Sequence, residues 1–430
     1  MSKIVSIAVA FQMCFILGLQ AQNFTSSPYS RFGLGEIISE GSSFNRAMGN
    51  AGIALRNNNQ INFLNPASYS AFDTLSFLFS GGVTGKYAKV YNESTEDQTR
   101  NFNMEYLGIG FPILKGLRLS LGLNPYSRMQ YQYHEIVYTN DTINSLLFDY
   151  KGDGGLNEFY FGGAYQIKDI VSVGFNATYL FGTLERTNTQ SSLYKTEAET
   201  QFASKYNVSD FYYRAGVQFF HEFKEKHKIT LGFVYDFKKD IKIQASELVQ
   251  RGFPYIDGAY IDTFRIVNDS AGKINLPAKF GLGLSYIYDD KLLFTADYIT
   301  QDWTDSKLFS TNMGLTNYSS FRVGLEYTPV PMTKRVRAGY FKRMNYRIGF
   351  YSTNTYWKVG DDQIKDSGFS IGLGLPWKNS KKLFTSTTFN LTYQIGWRGT
   401  TENNLLKENY HNITFGFSLH DFWFIKPKYD

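Results

Sequence analysis

The sequence predicts an all-β fold, a transmembrane antiparallel β-barrel of about 14 strands, on three observations. Apolar residues alternate with polar residues or glycine: Leu117, Leu119, Leu121 and Leu123 share one parity, and Arg118, Ser120, Gly122 and Asn124 the other. The connections between such segments are short and long in turn, as in barrels whose short turns face one side of a membrane and whose long loops face the other. The composition also suits strands: 17% aromatic residues with 32 Tyr and 38 Phe, 38 Gly and 10 Pro.

Taken in order, the chain opens with Lys3 and an apolar run from Ile4 to Leu19 that ends in "LQAQ", the pattern of a signal peptide cleaved after Ala21. The run is too short, and with Gln12 too interrupted, for a spanning helix. Cys14, the one cysteine, lies inside it, so the mature chain has no thiol for disulfides, thiolate metal sites or nucleophilic catalysis. The domain reading is 1–21 signal peptide, 22–73 N-terminal segment and 74–430 barrel.

Strands are expected to begin near Leu75, Phe102, Leu117, Leu156, Val171, Val208, Ile229, Ala278, Leu292, Ser319, Val336, Phe369, Thr387 and Asn412. Short turns fall at Leu114–Gly116, Lys168–Ile170, His221–Lys228, Asp289–Lys291, Pro329–Arg335 and Pro376–Lys382. Long polar connections are expected at Tyr133–Gly155, Arg186–Asn207, Ser246–Pro277 and Tyr346–Ser367. The third holds "RGFPYIDGAYIDTF", apolar enough to fold over the mouth or dock a partner.

A sheet in hydrocarbon must close, because no water bonds its backbone, and its apolar parity must face lipid. The other parity lines the lumen: Arg118, Glu158, Arg214, Asp236, Lys279, Asp297, Arg322, Glu326 and Arg337. Mixed signs there suit a cross-braced, partly filled interior better than a pore of one charge. Tyr286, Tyr288, Trp377, Trp397 and Trp423 fall where aromatic girdles belong. The expected location is the outer membrane of a Gram-negative cell, with both termini periplasmic.

About fifty residues precede the first strand. Within them "NRAMGNAGIAL" carries Arg46-Ala47-Met48-Gly49 with Ala51-Gly52 and Ala54, and "NFLNPASY" carries Asn65-Pro66-Ala67 just before strand one. Here the chain resembles the FadL-type family of long-chain fatty-acid and hydrocarbon transporters, whose 14-strand barrels hold an N-terminal hatch in the lumen. The resemblance implies a hatch over 22–73 with its motif at Asn65, Pro66 and Ala67, and uptake of hydrophobic compounds. It departs at Asn57–Asn59, where family members commonly carry an acid. Residues 395–430, ending in "DFWFIKPKYD", resemble a Bacteroidota subgroup that includes barrels of the PorV type, which serve protein-export machinery. Uptake therefore ranks first, and a non-transporting barrel subunit that binds partner proteins in an assembly or secretion machine ranks second.

By residue chemistry, Pro66 fixes its own φ and Asn65 is suited to bond a turn, so the motif reads as a rigid corner. Arg214, Arg322, Glu326 and Arg337 are the candidate lumen residues, the arginines able to meet a carboxylate head group. Partners would be membrane lipids, a hydrophobic small molecule or outer-membrane proteins. Net charge is +6 with no basic block, so nucleic acid is not expected. No cofactor or metal is expected either: "GIGF" and "GLGLS" sit inside strands, not at a helix start, and the five histidines are scattered. An enzyme is not expected; His420 with Ser127 or Asp297 is the one pairing to check.

Overall fold

The computed structural model describes residues 27–138, 145–194, 197–253, 260–330, 338–378 and 386–422. Their strands are β1 (Glu36–Ile37), β2 (Ser76–Tyr91), β3 (Glu96–Leu114), β4 (Leu117–Arg128), β5 (Tyr131–Val137), β6 (Leu146–Ile167) and β7 (Val171–Ser192). Next come β8 (Glu199–Phe223), β9 (His227–Asp236), β10 (Lys239–Gly252), β11 (Tyr260–Leu276), β12 (Lys279–Tyr288) and β13 (Leu292–Asp302). The last are β14 (Lys307–Leu308), β15 (Thr311–Asn312), β16 (Asn317–Tyr327), β17 (Asn345–Val359), β18 (Asp362–Lys378), β19 (Ser386–Gly399) and β20 (Lys407–Phe422).

Fourteen of these close a ring of antiparallel neighbours: β2, β3, β4, β6, β7, β8, β9, β12, β13, β16, β17, β18, β19 and β20. β20 returns to β2 from Ser76↔Phe422 to Tyr91↔Lys407. In β12 Phe280, Leu282 and Leu284 are exposed, while Gly281, Gly283 and Ser285 are buried. Apolar outside and small or polar inside is the parity of a lipid-embedded wall. No helix among the described residues is long and apolar enough to cross a membrane. Tyr288, Trp377 and Trp397 lie exposed on the outer surface; Trp423 lies outside the described residues.

The four long connections expected between strands are largely strand themselves. β10 and β11 pair from Lys239↔Leu276 to Gly252↔Tyr260 as a ribbon beside β8, and β5 pairs with β6 from Tyr131↔Gly152 to Val137↔Leu146. Residues 346–367 belong to β17 and β18, joined at a tight turn. The strand expected near Val336 is β17, which begins at Asn345 after a helical turn at Tyr340–Arg343. Near the ring β10 and β11 turn Ile241, Ile243, Ile274 and Leu276 to a buried face, and only further out, where both faces are wet, does the apolar alternation stop while pairing continues.

Residues 28–72 are mostly buried and pack against inward-facing positions all round the ring. Their backbone runs too close to the wall for side chains to intervene. A Cβ on Gly349 would lie 1.9 Å from the Gly49 amide nitrogen, and one on Gly174 would lie 2.4 Å from that of Ala67. The inward glycines are the seats on which this segment rests. Gly349→Ala is expected to cost about 1–3 kcal/mol by overpacking, read as an earlier loss of heat-resistant electrophoretic mobility of the barrel; an unchanged transition would contradict this seating.

Candidate functional site

The lumen is the candidate site, and it is filled from both ends. At the short-turn end Asn65 starts a 3-10 helix, Pro66–Ala71, as its N-cap. Its Oδ1 accepts from the Ala67 amide at 3.0 Å, and its Nδ2 donates to the carbonyls of Ile53 at 2.8 Å and Phe233 at 3.3 Å. The corner that Asn65, Pro66 and Ala67 form lies against Gly174 and Gly216 of the wall. Phe63, Tyr69 and Phe72 then pack with Tyr106 and Tyr160.

Midway, charged groups brace the segment. Arg214 holds Asp236 through Nε to Oδ1 at 2.5 Å and Nη2 to Oδ2 at 2.8 Å, and it holds Glu40 through Nη2 to Oε1 at 2.8 Å. Lys279 Nζ reaches Glu40 at 2.7 Å and Asp236 at 2.8 Å. Two cations and two carboxylates thus tie the inner segment to β8, β9 and β12. Beside them Glu158 accepts from the Tyr212 hydroxyl at 2.5 Å. Burial opposes the charge on Glu40, but Arg214 and Lys279 outweigh it and pull its pKa down to about 2.

The other described residues expected in the lumen, Arg118, Asp297, Arg322 and Glu326, face inward with separate partners. Asp297 accepts from the amides of Gly52 at 2.6 Å and Ile53 at 2.9 Å. Arg118 Nε donates to the Phe72 carbonyl at 3.2 Å. Arg322 donates to the Asn50 carbonyl at 3.2 Å and to Ser320 and Tyr318, and makes no ion pair within 4.0 Å among the described residues. Glu326 receives Arg347 Nε at 2.5 Å and Asn345 at 3.0 Å. Arg337 lies outside the described residues. Ser127 and His420 sit at opposite ends of the barrel, since His420 pairs with Leu78 at the short-turn end and Ser127 with β1 at the other. No cluster of three His, Cys, Asp or Glu suited to a metal occurs among the described residues.

Sequence parity missed the second cluster. Arg398 holds Glu36 at 2.7 Å, Asp366 at 2.9 Å and Glu408 at 3.3 Å, while Arg46 and Arg128 flank Glu105. Glu36 and Arg46 come from the inner segment, where no period reports direction. Glu105 is the extra residue of a β-bulge in β3 between the pairs Gly82↔Tyr106 and Val83↔Met104, so Glu105 and Tyr106 both point inward. A polar chamber of about 160 Å³ lies among Glu36, Arg46, Glu105, Arg128, Arg322 and Arg398.

Above it the ribbon end is sealed. Trp303, Tyr356 and Trp357, at most 2% exposed, pack with Tyr29 and Leu34 of the inner segment, with Tyr126 and Tyr212 of the wall and with Ile243 of the β10 ribbon. Among the described strands the wall has a seam between β3 and β4. β3 pairs with β4 only from Leu107↔Leu123 to Leu114↔Leu117, and beyond Leu107 β4 pairs instead with β1, Ile37↔Ser127 and Glu36↔Arg128.

These features define a closed 14-strand barrel of the outer-membrane type with an occupied lumen. Its fold is shared with a Pseudomonas aeruginosa FadL homologue (TM-score 0.61, 12% identity, 90% of this chain and 99% of that one). It is shared also with the Ralstonia pickettii toluene transporter TbuX (0.58, 14%, 89% and 98%) and the P. putida toluene transporter TodX (0.58, 15%, 90% and 100%). The chain belongs to the BamG family, whose profile matches residues 1–430. No curated protein matches it significantly.

Arg214→Leu leaves two buried carboxylates to one lysine and is expected to cost about 3–5 kcal/mol, measured by thermal unfolding in detergent. Because the pKa of Glu40 lies below its unfolded value, its stabilisation is complete above about pH 4.5 and is lost as pH falls toward 2. Acid unfolding of Glu40→Gln is therefore expected to be less steep than wild type over that window; identical profiles would remove Glu40 from the brace.

Proposed function

We propose that this chain is a non-transporting scaffold barrel of an outer-membrane protein assembly or secretion machine. It would stand with its short turns and both termini in the periplasm, residues 22–73 as a fixed plug, and its wall and ribbons turned to partner proteins. The observation that carries this reading is the seal at the ribbon end. A molecule entering from outside would have to pass the close-packed Trp303–Tyr356–Trp357 layer and then two ionic clusters. Pockets that bury small ligands run to roughly 300–1,000 Å³ and are mostly apolar; the chamber beneath the aromatic layer is about 160 Å³, lined by paired charges and by Tyr351, Tyr356 and Tyr410 alike, and the space of about 450 Å³ at the short-turn end lies among Arg56, Asn57, Asn345 and Arg347. Arg214, fully engaged by Asp236 and Glu40, is not free to receive a carboxylate head group.

Uptake of a hydrophobic small molecule, such as a long-chain fatty acid, is the second reading. The seam between β3 and β4 favours it, as a path from lipid through the wall, and so does the corner at Asn65–Ala67, seated against β7 and β8. Arg128 and Arg46, both paired with Glu105, would then be the cations nearest that path.

Gentle affinity purification from native membranes separates the two. The scaffold reading expects partner proteins at fixed stoichiometry, no enrichment of fatty acid or hydrocarbon in the lipid extract, and unchanged uptake in cells lacking the chain. A barrel that purifies alone with a bound hydrophobic compound, and uptake that falls on deleting residues 65–67, would establish transport instead.

A further inference from the structure

At the short-turn end the lumen opens into a cavity of about 450 Å³. Lys228, Asp290 and Lys291, from the turns that join β8 to β9 and β12 to β13, stand at its rim, and the inner segment at Arg56–Gln60 forms its inner side. The size lies in the roughly 300–1,000 Å³ range of ligand sites, but the lining is rich in amides and charges. Most of those charges are matched. Lys228 Nζ lies 2.8 Å from Asp290, Lys291 pairs with Asp289, and Arg347 Nε lies 2.5 Å from Glu326. Arg56 is the exception: it makes no ion pair within 4.0 Å among the described residues.

Its side chain is nevertheless held in place. Nη1 donates to Ser70 at 3.0 Å, Ser172 at 2.9 Å and Gln218 at 3.2 Å, Nη2 donates to Gln166 at 3.3 Å, and the guanidinium lies 3.7 Å over the Phe220 ring. All these partners are neutral. Nε has no partner among the described residues, and Nη2 uses one of its two protons. Nε and Nη2 are the edge with which Arg214 grips Asp236, the side-on geometry in which arginine recognises a carboxylate. Burial, with Arg118 adding to it, pulls the pKa of Arg56 down to about 10, so the group is charged at neutral pH and gains from an anion beside it. Gln60, 7% exposed, lines the same cavity, and its side-chain amide has no hydrogen-bond partner among the described residues. A buried amide in that state is destabilising until something bonds it.

We infer that this cavity binds the C-terminal carboxylate of a periplasmic polypeptide, held side-on by Arg56 Nε and Nη2, with the last peptide group bonded by Gln60 and Asn57. This rests on the scaffold reading, which supplies the partner and puts the short turns in the periplasm. A chain end matches the features together: one negative charge for one unmatched cation, and an adjoining N–H and C=O for the amides. A free oxyanion would leave Gln60 and most of the volume unused. An acyl chain would lay its tail among Lys228, Asp290 and Asn345. A polypeptide that enters here cannot thread onward, because Phe63, Tyr69 and Phe72 of the inner segment pack against the wall beyond Arg56. It must therefore end at the arginine, which selects a terminal carboxylate over an acidic side chain in mid-chain.

The test uses the full-length barrel in lipid discs and a pool of N-acetylated random hexapeptides with free C-terminal carboxylates, against the same pool amidated at the C-terminus. Retained peptides are read by mass spectrometry. Free acids are expected to exceed amides by at least about tenfold, as a desolvated charge pair provides, and the excess is expected to vanish in Arg56→Gln. Arg56→Lys, which keeps the charge and loses the fork, is expected to retain only a small part of it. Because Arg56 also ties down Ser70 and Ser172, Gln60→Leu serves as the second variant: retention is expected to fall at least about threefold with no loss in thermal unfolding temperature, since an unbonded amide is removed. Equal retention of the two pools, amidated acidic peptides held as well as free acids, or displacement of the peptides by laurate at lower concentration than by acetyl-triglycine would overturn the inference. If partners co-purify from native membranes but the pools are held equally, the carboxylate site falls and the scaffold reading stands; if nothing co-purifies, the scaffold reading itself falls.

Discussion

Inside hydrocarbon a main-chain N–H or C=O must be bonded by the protein itself, and the rest of this structure follows from that constraint. It forces the sheet to close, and closure at 14 strands leaves a lumen far wider than side chains alone can fill. The chain fills it with its own N-terminal residues. Their backbone reaches the wall at the inward glycines Gly174, Gly232, Gly324 and Gly349. The glycines of "GIGF" and "GLGLS", which resemble nucleotide loops in one dimension, make room in three for the Phe63, Phe72 and Ile53 side chains of the segment.

What locks the filling differs by level. Near the short turns it is aromatic packing around Phe63 and Tyr69; in the middle it is the pairing of Glu40 with Arg214 and Lys279; toward the ribbons it is an apolar layer around Trp303 and Trp357. A buried charge left without its partner is costly, so the ionic level specifies one seating of the segment even where its net stabilisation is small. The same clusters make the interior a poor medium for an apolar cargo. Fold similarity to transporters does not carry their activity with it, because function depends on the site and not on the wall.

The seam is where wall and filling become one object. A bulge turns Glu105 inward, Arg46 and Arg128 meet it, and β1 takes the place on β4 that β3 would hold in an unbroken ring. The inner segment is thus part of the sheet as well as its contents.

The sequence by itself determined the barrel. Period-two alternation was legible because lipid imposes it on every strand, and so were the inward parity of Arg214, Asp236, Lys279 and Asp297 and the corner at Asn65–Ala67. Strand extents beyond the membrane were legible only in part: Ile241, Ile243 and Ala245 keep the alternation where β10 turns one face to the core, but the outer parts of the β10–β11 and β5–β6 ribbons have no buried face to mark a strand. The partners of the lumen charges were not legible. Glu36, Glu40 and Arg46 lie in stretches too short to show a period, and Glu36 and Glu40 are 174 to 362 residues from Arg398, Arg214 and Lys279, while Glu105 sits on a bulge that breaks parity. Only closure of the ring decided which of these charges meet, because it alone fixes which distant strand faces the segment inside.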